Sequence, residues 1–397
     1  MSARPALDGI KIVEFAHVIA GPLAGTLMAD LGAEVVHVED PTHGDPGRRQ
    51  GPTKDGVHLW WKVSGRNKRS VTLDLRSSEG QAVAHDLVRW ADVVITNFRV
   101  DTLKKWGLDW EAVHRVNPRA VMLQITGNGT TSTDYNAPGF GKVGEARSGV
   151  VHITGFPDGP PVHTGFSHAD TATALMGAFA ISAALVRRHD DDFEGEWIDL
   201  ALFETLFRLI EWQIIFTDQF GEAPNRAGNQ LAVAPGAVVN TYLSKDDVWI
   251  TVTSATPRSV SNIAELLGEP ADEYRTVEQQ SARKDRLDQL LTRWVGERTA
   301  TECLETMKRL EVVASRIYSA ADILEDATYA ERGDIVSVPD DDLGSVRMQG
   351  VVPMLHQRPG QVWRSGPALG EDNDLVYREW LSFSADRLAG LTEDGVI

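Results

Sequence analysis

Cysteine is almost absent from the sequence, which contains a single one, Cys303, in 397 residues. One thiol cannot form an internal disulfide, a multi-thiolate zinc site or an iron–sulfur site, so we expect a reducing compartment, the cytoplasm. Cys303 lies in a helical pattern over residues 299–310, where we expect it to pack inertly. The spacings between His17, His163 and His168 match no metal pattern, and we predict no metal site.

Long apolar runs and an excess of positive charge are also missing. The longest apolar-rich segment, residues 172–186, has 15 residues, whereas a helix needs about 20 to cross a bilayer. The N-terminus leads into the polar turn Leu7-Asp8-Gly9 without the apolar stretch of a signal peptide. The formal net charge of −18, from 39 Lys+Arg and 57 Asp+Glu, repels phosphate backbones. We therefore expect neither a membrane nor a nucleic acid as partner.

Strand and helix patterns alternate over about the first 130 residues. Runs rich in β-branched residues recur at 10–15, 34–38, 71–75, 93–96 and 120–126. Helical patterns lie between them at 20–31, 77–90 and 110–116. This alternation predicts a parallel sheet with right-handed crossovers, which is an α/β fold of the Rossmann-like kind.

The rest of the chain predicts a second, smaller α/β domain. After an irregular stretch to about residue 161, helices are predicted from Asp170 and over 200–216. A Gly-, Pro- and Asn-rich linker over 221–235 precedes β and helical patterns at 238–253 and 260–267. We predict a large domain over 1–220, completed by 326–397, and a small domain over 228–325.

The segment from Gly139 to Gly144 fits the glycine spacing of a dinucleotide fingerprint, but its context is wrong. That motif needs a strand before it, whereas Asp134–Pro138 is a turn-like run. The interpretation we prefer is a glycine-rich loop in which the backbone must approach another group closely.

Asp170 stands just before an apolar helical pattern and has two compatible interpretations. Aspartate is a good helix N-cap residue. The partial positive charge at a helix N-terminus also favours an ionised carboxylate, which is the nucleophilic form. No Ser-His-Asp signature accompanies it.

Basic residues cluster in the α/β half of this acidic chain. They form either a solvated face or the binding site of an anionic ligand such as a phosphate. They are Arg66, Lys68, Arg69, Arg76, Arg99, Lys104 and Lys105.

A series of short motifs resembles the family III CoA-transferases, to which the α-methylacyl-CoA racemases are related. The motifs follow the family's order over nearly the whole chain. They are Leu7-Asp8-Gly9-Ile10, Ala20-Gly21-Pro22, residues 30–35, Asn67-Lys68-Arg69-Ser70, Leu73-Asp74-Leu75, Ala91-Asp92-Val93, Asn97-Phe98-Arg99, Gly107-Leu108-Asp109, Asn117-Pro118-Arg119, residues 155–161, Leu369-Gly370-Glu371-Asp372 and Gly395-Val396-Ile397.

The resemblance implies that Asp170 is the catalytic residue of a reversible CoA transfer between an acyl-CoA and a free carboxylic acid. In the family's scheme the carboxylate forms an aspartyl-CoA thioester, and no prosthetic group is needed, because coenzyme A itself is a substrate. It also implies an interlocked homodimer. The CoA-binding positions that it implies are Val18, Ile19, Ala20, Leu73, Arg76, Asn97, Phe98, Arg99, Lys105 and Phe140.

The chain departs from formyl-CoA transferase, a member of the family, in two places. Asp40 stands where that enzyme has a basic residue, which affects one CoA contact. Phe140-Gly141 replaces its Tyr-Glu pair, so its substrate specificity does not transfer to this chain. Lys142 and Arg147 lie in the same loop, and we expect them to hold the second carboxylate of a dicarboxylate such as succinate.

Two alternatives stay open at this point. The racemase branch exchanges an α-proton between two bases, but Phe140 stands at the partner histidine's position and cannot relay a proton, so this alternative requires His163 or His168 to lie opposite Asp170. The other alternative is a non-catalytic CoA-binding protein.

Overall fold

Six parallel strands form the central sheet that the sequence pattern predicts. They are β1 (Lys11–Phe15), β2 (Glu34–Glu39), β3 (Arg69–Thr72), β4 (Val93–Thr96), β5 (Val121–Thr126) and β6 (Glu196–Ala201). Their order across the sheet is β3-β2-β1-β4-β5-β6, and every neighbouring pair is parallel. This is the strand order of doubly wound Rossmann sheets. The predicted α/β class with a parallel sheet is confirmed.

Side chains of the strands are buried on both faces of the sheet. Along β1, Ile12 belongs to the apolar cluster on one face and Val13 to the cluster on the other. Burial on both faces explains why these strands are runs of Val and Ile rather than alternating patterns.

The computed structural model describes residues 4–231 and 233–397, which divide into two compact units. The first comprises residues 4–150, 164–214 and 328–397, and the second the described parts of 151–163 and 215–327. The domain limits expected from the sequence, 1–220 with 326–397 and 228–325, remain a prediction.

Helices of the first unit cover both faces of the sheet. They are Ala20–Asp30, Leu59–Ser64, Ser78–Trp90, Val100–Trp106, Trp110–Val116, Gly141–Arg147, His168–Leu185, Glu204–Leu209 and Ala385–Glu393, with a 3₁₀-helix at Pro46–Arg49 and a π-helix at Asp374–Trp380. Two hairpins complete this unit, Thr53–Lys54 with Val57–His58 and Ile335–Asp340 with Gly344–Gln349. The helices Val150–Ile153, Glu211–Phe220 and Ala327–Arg332 cross the limits between the units.

The second unit contains a three-stranded antiparallel sheet of Val238–Leu243, Trp249–Ser254 and Ala314–Arg316. Its helices are Pro257–Leu266, Val277–Gly296, Ala300–Arg309 and Ala320–Glu325, with a short turn at Ala271–Tyr274. Cys303 is fully buried in its apolar core, where burial raises the pKa of the thiol to about 11. The expectation of an inert, packed cysteine is confirmed.

Three sequence predictions are wrong in detail. The helix predicted over 200–216 begins as strand β6 and continues as two shorter helices. The irregular stretch after Thr126 contains the helices Gly141–Arg147 and Val150–Ile153. Asp170 does not cap its helix, because the helix begins at His168 and Ser167 is its N-cap residue.

The apolar helix His168–Leu185 belongs to the first unit, where several of its residues pack in an apolar cluster with strands of the central sheet. In the parts of the chain that the structure describes, no helix combines the length and the apolar character needed to span a bilayer.

Candidate active site

The carboxyl ends of β1 and β4 meet where the strand order of the sheet reverses. In open α/β sheets, ligands bind in the crevice at such a switch point. Residues of the two strand ends are tied together there, since the backbone N–H of His17 donates to the Asn97 side-chain oxygen at 2.9 Å. The Asn97 amide nitrogen in turn donates to the His17 carbonyl at 2.8 Å.

The residue after His17 has an unusual backbone. Val18 adopts a left-handed conformation with φ of 67°, which β-branched residues rarely do. Its N–H donates to both carboxylate oxygens of Asp45, at 3.0 and 3.1 Å. The segment 17–19 is thus held from two sides, by Asn97 and by Asp45.

Asp170 faces the same crevice from the first turn of helix His168–Leu185. It lines a cavity of about 290 Å³. The structure brings eight of the predicted site residues together around this cavity: Val18, Ile19, Ala20, Asn97, Phe140, Gly141, Lys142 and Asp170. The remaining lining residues are His17, Gln50, Ile125, Thr126, Gly127, Gly139, Ser167 and Leu202.

Glycines of the 139–144 segment allow backbones to meet closely in this cavity. A Cβ added at Gly141 would lie 2.0 Å from Oδ2 of Asp170, and one at Gly139 would lie 2.5 Å from the Cα of Gly127. Both distances are far inside van der Waals contact. The close approach predicted for this segment is confirmed, but the prediction of a loop is wrong from Gly141 onward, because the helix Gly141–Arg147 begins there.

The Asp170 carboxyl is surrounded by groups that change its acidity. Burial is the largest effect, and together with the nearby negative charge of Glu145 it raises the pKa of Asp170 to about 6. The positive charge of Lys142 acts in the opposite direction. Glu145 is itself buried and accepts the backbone N–H of His168 at 3.0 Å, so a second carboxylate lies at the start of the Asp170 helix.

Lys142 and Arg147 have partners within the protein. The Lys142 ammonium donates to both Glu145 oxygens at 3.0 Å and to the carbonyls of Thr164 and Phe166 at 2.9 Å.

The Arg147 guanidinium pairs with the Asn128 side chain and lies 4.6 Å from the centre of the Phe203 ring. Lys142 lines the Asp170 cavity, whereas Arg147 does not.

A second cavity of about 400 Å³ opens beside the first and shares His17 with it. Three predicted residues line it, namely Leu73, Arg76 and Phe98. The Phe98 ring packs 4.9 Å from His17 and 5.0 Å from Trp106, which gives this cavity an aromatic wall.

Arg76 is not a free cation in this cavity. Its guanidinium donates to Asp74 at 2.7 Å and to Asp40 at 2.8 Å. Asp40, where the resemblance implies a basic residue, thus neutralises part of the charge at the rim.

Arg99 and Lys105 are exposed and line neither cavity. Arg99 precedes the helix Val100–Trp106, and Lys105 lies in its last turn. The structure therefore does not gather them with the other predicted residues.

Four residues that lie in or beside the site were not predicted from the sequence. Gln50 and Ser167 line the Asp170 cavity, and both also line a wider adjoining cavity of about 650 Å³. The other two are Asp45, which accepts the Val18 N–H, and His37, which pairs with Asp45 and belongs to no motif. The one available signal was Gly44-Asp45-Pro46, which is typical of a turn leading into a short helix. In the residues that the structure describes, no group of three or more His, Cys, Asp or Glu side chains is arranged to hold a metal.

Comparisons with known proteins match this architecture over the whole chain. A family model described as CoA-transferase family III matches residues 7–373. The succinyl-CoA–D-citramalate CoA-transferase of Chloroflexus aurantiacus is 38% identical over 400 residues, covering 99% of this chain and 98% of the relative. The succinate–glutarate CoA-transferase of Agrobacterium fabrum is 33% identical over 389 residues, covering 95% and 96%.

A solved structure matches the fold equally well. The crystal structure of a CaiB/BaiF family protein from Brucella suis superposes with a TM-score of 0.83 at 28% identity, covering 95% of this chain and 99% of that one. The family model, the full-length relatives and the shared fold agree with one another. The chain belongs to the CoA-transferase family III, and it is an enzyme of that family.

Proposed function

We propose that this enzyme transfers CoA reversibly from an acyl-CoA to a free carboxylic acid through a thioester on Asp170. One observation carries the proposal. The Asp170 carboxylate lies in the cavity at the switch point, and it makes no hydrogen bond or ion pair with any residue that the structure describes. A carboxylate left free at a ligand crevice is available as a nucleophile.

The first half-reaction loads CoA onto the enzyme. An Asp170 oxygen attacks the carbonyl carbon of the acyl-CoA, the carbon–sulfur bond breaks, and CoA thiolate leaves with the electron pair. This gives a mixed anhydride between the donor acid and Asp170. The thiolate then attacks the aspartyl carbonyl, which releases the donor acid and leaves an aspartyl-CoA thioester.

The second half-reaction unloads CoA in the reverse order. The carboxylate of the acceptor acid attacks the aspartyl thioester and displaces CoA thiolate. The thiolate then attacks the acyl carbon of the new anhydride, which forms the new acyl-CoA and regenerates the Asp170 carboxylate. No proton is gained or lost overall, so the reaction needs no general base.

The glycines around Asp170 suit these steps. Gly141 permits the carboxylate to lie against the backbone, and water would hydrolyse either intermediate if it entered freely. We propose that the 139–149 segment shields the anhydride and the thioester, and that its backbone N–H groups stabilise the oxyanions that form at each attack.

CoA has a natural place along the two cavities. We propose that the nucleotide end lies in the 400 Å³ cavity against Phe98, and that the thioester end reaches Asp170 past His17, which lines both cavities. Arg76 would have to leave Asp40 or Asp74 to contact a phosphate. Arg99 and Lys105 are proposed as exposed contacts for the phosphates.

We further propose a dicarboxylic acid as a substrate. The relatives named for citramalate and for glutarate act on acids with two carboxyl groups, and both names include succinate or succinyl-CoA. Within the site, Lys142 is the cation that lines the Asp170 cavity, and to hold a substrate carboxylate it would exchange one of its carbonyl partners. Arg147→Ala is the matched comparison, because Arg147 does not line that cavity.

The test is a transfer assay with succinyl-CoA and acetyl-CoA as donors and a panel of mono- and dicarboxylic acids as acceptors. We predict that the wild-type enzyme exchanges CoA between these acids and prefers dicarboxylates. Asp170→Asn should show no exchange with any acid. Lys142→Ala should raise the KM of dicarboxylates more than Arg147→Ala does.

Two results would contradict the proposal. Deuterium uptake at the α-carbon of an acyl-CoA without exchange would favour the racemase alternative, although Phe140, at the partner base's position, is 74% exposed and carries no base. Tight CoA binding with neither reaction would leave a non-catalytic CoA binder.

A further inference from the structure

A chain of four buried charged residues lies directly behind the Val18 segment. His37 is its centre: Nδ1 lies 2.7 Å from a Glu14 oxygen and Nε2 lies 3.1 Å from an Asp45 oxygen. The Lys68 ammonium donates to both oxygens of Glu14, at 3.0 and 2.9 Å. All four side chains are almost completely buried.

The geometry fits His37 as an imidazolium that donates to two ionised carboxylates. Each ring nitrogen faces a carboxylate oxygen, and a neutral imidazole can donate from one nitrogen only. With His37 charged, the chain of four contains two cations and two anions, whereas a neutral ring would leave one buried negative charge uncompensated. Burial by itself lowers the pKa of His37, but the hydrogen bonds to Asp45 and Glu14 outweigh it and raise the pKa to about 9.

Asp45 connects this charge chain to the active site. Besides His37, its carboxylate accepts the N–H of Gly47 at 2.6 Å and the N–H of Val18 at 3.0 and 3.1 Å. Burial favours the neutral acid, yet the hydrogen bond and charge of His37 outweigh it and lower the pKa of Asp45 to about 2. The ionised carboxylate therefore holds Val18 in its left-handed conformation at the edge of the Asp170 cavity.

We propose that His37, as an imidazolium, is a positioning residue for the CoA transfer. It holds Asp45, and through Asp45 it fixes the Val18–Ile19 backbone that lines the cavity where the acyl-CoA meets Asp170. His37 itself touches no substrate. The inference rests on the proposed function, because it assumes that the acyl-CoA occupies that cavity.

Two other titratable groups near His37, Glu39 and His17, do not change their charge between pH 7 and pH 10. His37 is therefore the group whose titration changes the support of the Val18–Ile19 backbone in this range. Burial works against ionisation of Glu39, but its hydrogen bonds to Arg48 and Ser70 and the positive charges of His37 and Arg48 together outweigh burial, and the pKa of Glu39 is lowered. Burial lowers the pKa of His17, so its ring stays neutral in this range. The Trp61 ring covers His37 at 5.7 Å between ring centres and carries no charge.

The experiment compares His37→Gln, His37→Lys and wild type, with His356→Gln as the matched control because His356 is exposed and distant in sequence. His37→Gln removes the charge, and His37→Lys retains it. The KM for succinyl-CoA and the kcat are measured from pH 7 to pH 10, together with trapping of CoA on Asp170 at saturating succinyl-CoA.

We expect the wild-type KM for succinyl-CoA to rise as the pH passes about 9. His37→Gln should have a KM raised roughly 10-fold or more at pH 7.5, the effect of losing a charged hydrogen bond, with no inflection near pH 9. The kcat should change less, since the Val18–Ile19 backbone carries no group that takes part in making or breaking bonds. His37→Lys should recover a low KM, and His356→Gln should behave as wild type.

Two results would overturn the inference. One is a folded His37→Gln enzyme with the wild-type KM. The other is a wild-type KM for succinyl-CoA that does not change between pH 7 and pH 10. This second measurement requires no substitution of a buried residue. If the wild-type enzyme traps no CoA on Asp170, the proposed function fails instead, so the two failures are distinguishable.

Discussion

At Gly141 a single hydrogen atom separates the backbone from the nucleophile that we propose. A methyl group at this position would lie 2.0 Å from an Asp170 oxygen, so Gly141→Ala must displace the carboxylate. A misplacement of about 1 Å costs on the order of 100-fold in rate, and we predict a fall in kcat of that size for Gly141→Ala. Steady-state transfer kinetics measure it.

The control for this substitution is Gly165→Ala. A Cβ at Gly165 meets no atom within 4 Å, and its backbone does not require glycine. We expect Gly165→Ala to retain the wild-type kcat. Equal kcat values for the two variants would mean that the contact between Gly141 and Asp170 has no catalytic role.

Asp170 is placed for reaction at a cost to stability. Its pKa of about 6 exceeds the ordinary value of 3.8, chiefly because of burial, so ionisation is less favourable in the folded protein than in the unfolded chain. This cost grows as the pH rises from 3.8 through 6. Asp170→Asn should therefore abolish transfer yet raise the unfolding free energy at pH 7 by about 1–3 kcal/mol.

Denaturant unfolding of wild type and Asp170→Asn at pH 4 and pH 7 measures this effect. The difference between the two proteins should be larger at pH 7. A variant that is less stable than wild type at both values would contradict a strained carboxylate.

The catalytic residue was identifiable from the sequence only through the family resemblance. Residue types alone left Asp170 between a helix cap and a nucleophile, and the structure shows that Ser167 occupies the cap. The surroundings of the Asp170 carboxyl could not be predicted from the sequence. Gly141 and Glu145 are more than 20 residues away along the chain, and only the fold brings them close to it.

Among the secondary-structure elements, β1 and β2 carry the two central members of the buried charge chain. Glu14 lies on β1, His37 lies on β2, and Lys68 lies just before β3. These charged residues therefore link three adjacent strands of the central sheet, β3, β2 and β1.

This linkage predicts a pH dependence of folding stability. The folded-state pKa of His37, about 9, is above its ordinary value of 6.5, because its bonds to Asp45 and Glu14 outweigh the opposing burial. Its contribution is fully present below pH 6.5 and is lost as the pH rises through 9. We predict a loss of about 3 kcal/mol of unfolding free energy over this window.

Urea unfolding between pH 6 and pH 10 tests the prediction. His37→Gln should lack most of this pH dependence, whereas His356→Gln should retain it. Identical pH profiles for wild type and His37→Gln would show that His37 does not titrate in this window.

Five of the six strands of the central sheet were predicted from runs of Val and Ile, since burial on both faces demands them. Strand β6 was not. It lies at the edge of the sheet beside β5 alone, is mostly half-buried, and contains Glu196, Trp197 and Asp199. The helix predicted over 200–216 overlaps only the last two residues of this strand, and the polar residues before them do not form the apolar run that marked the other strands.

At the scale of the whole molecule, an apolar stripe on the first unit lacks a partner within the described chain. Leu175, Phe179 and Val186 follow one face of the helix that begins at His168, and they are 55%, 70% and 79% exposed. A stripe of this kind marks an interaction surface. We propose that it is covered in the homodimer that the family resemblance implies, in which the two chains interlock.

We predict a dimer whose mass does not depend on protein concentration. Light scattering should give about twice the chain mass of 43.5 kDa, with no monomer on dilution, because interlocked chains cannot separate while folded. Phe179→Asp should lower the yield of folded dimer, whereas Phe140→Asp, which changes an equally exposed aromatic residue outside the stripe, should leave the mass unchanged. A wild-type monomer at micromolar concentration would contradict this proposal.

The most direct test of the account is to trap the covalent intermediate. The enzyme is mixed with succinyl-CoA without an acceptor acid, treated with hydroxylamine at neutral pH, and examined by intact mass and peptide mapping. We predict a hydroxamate at Asp170 that depends on succinyl-CoA and is absent in Asp170→Asn. Transfer activity with no modification at Asp170, or with modification at another residue, would contradict it.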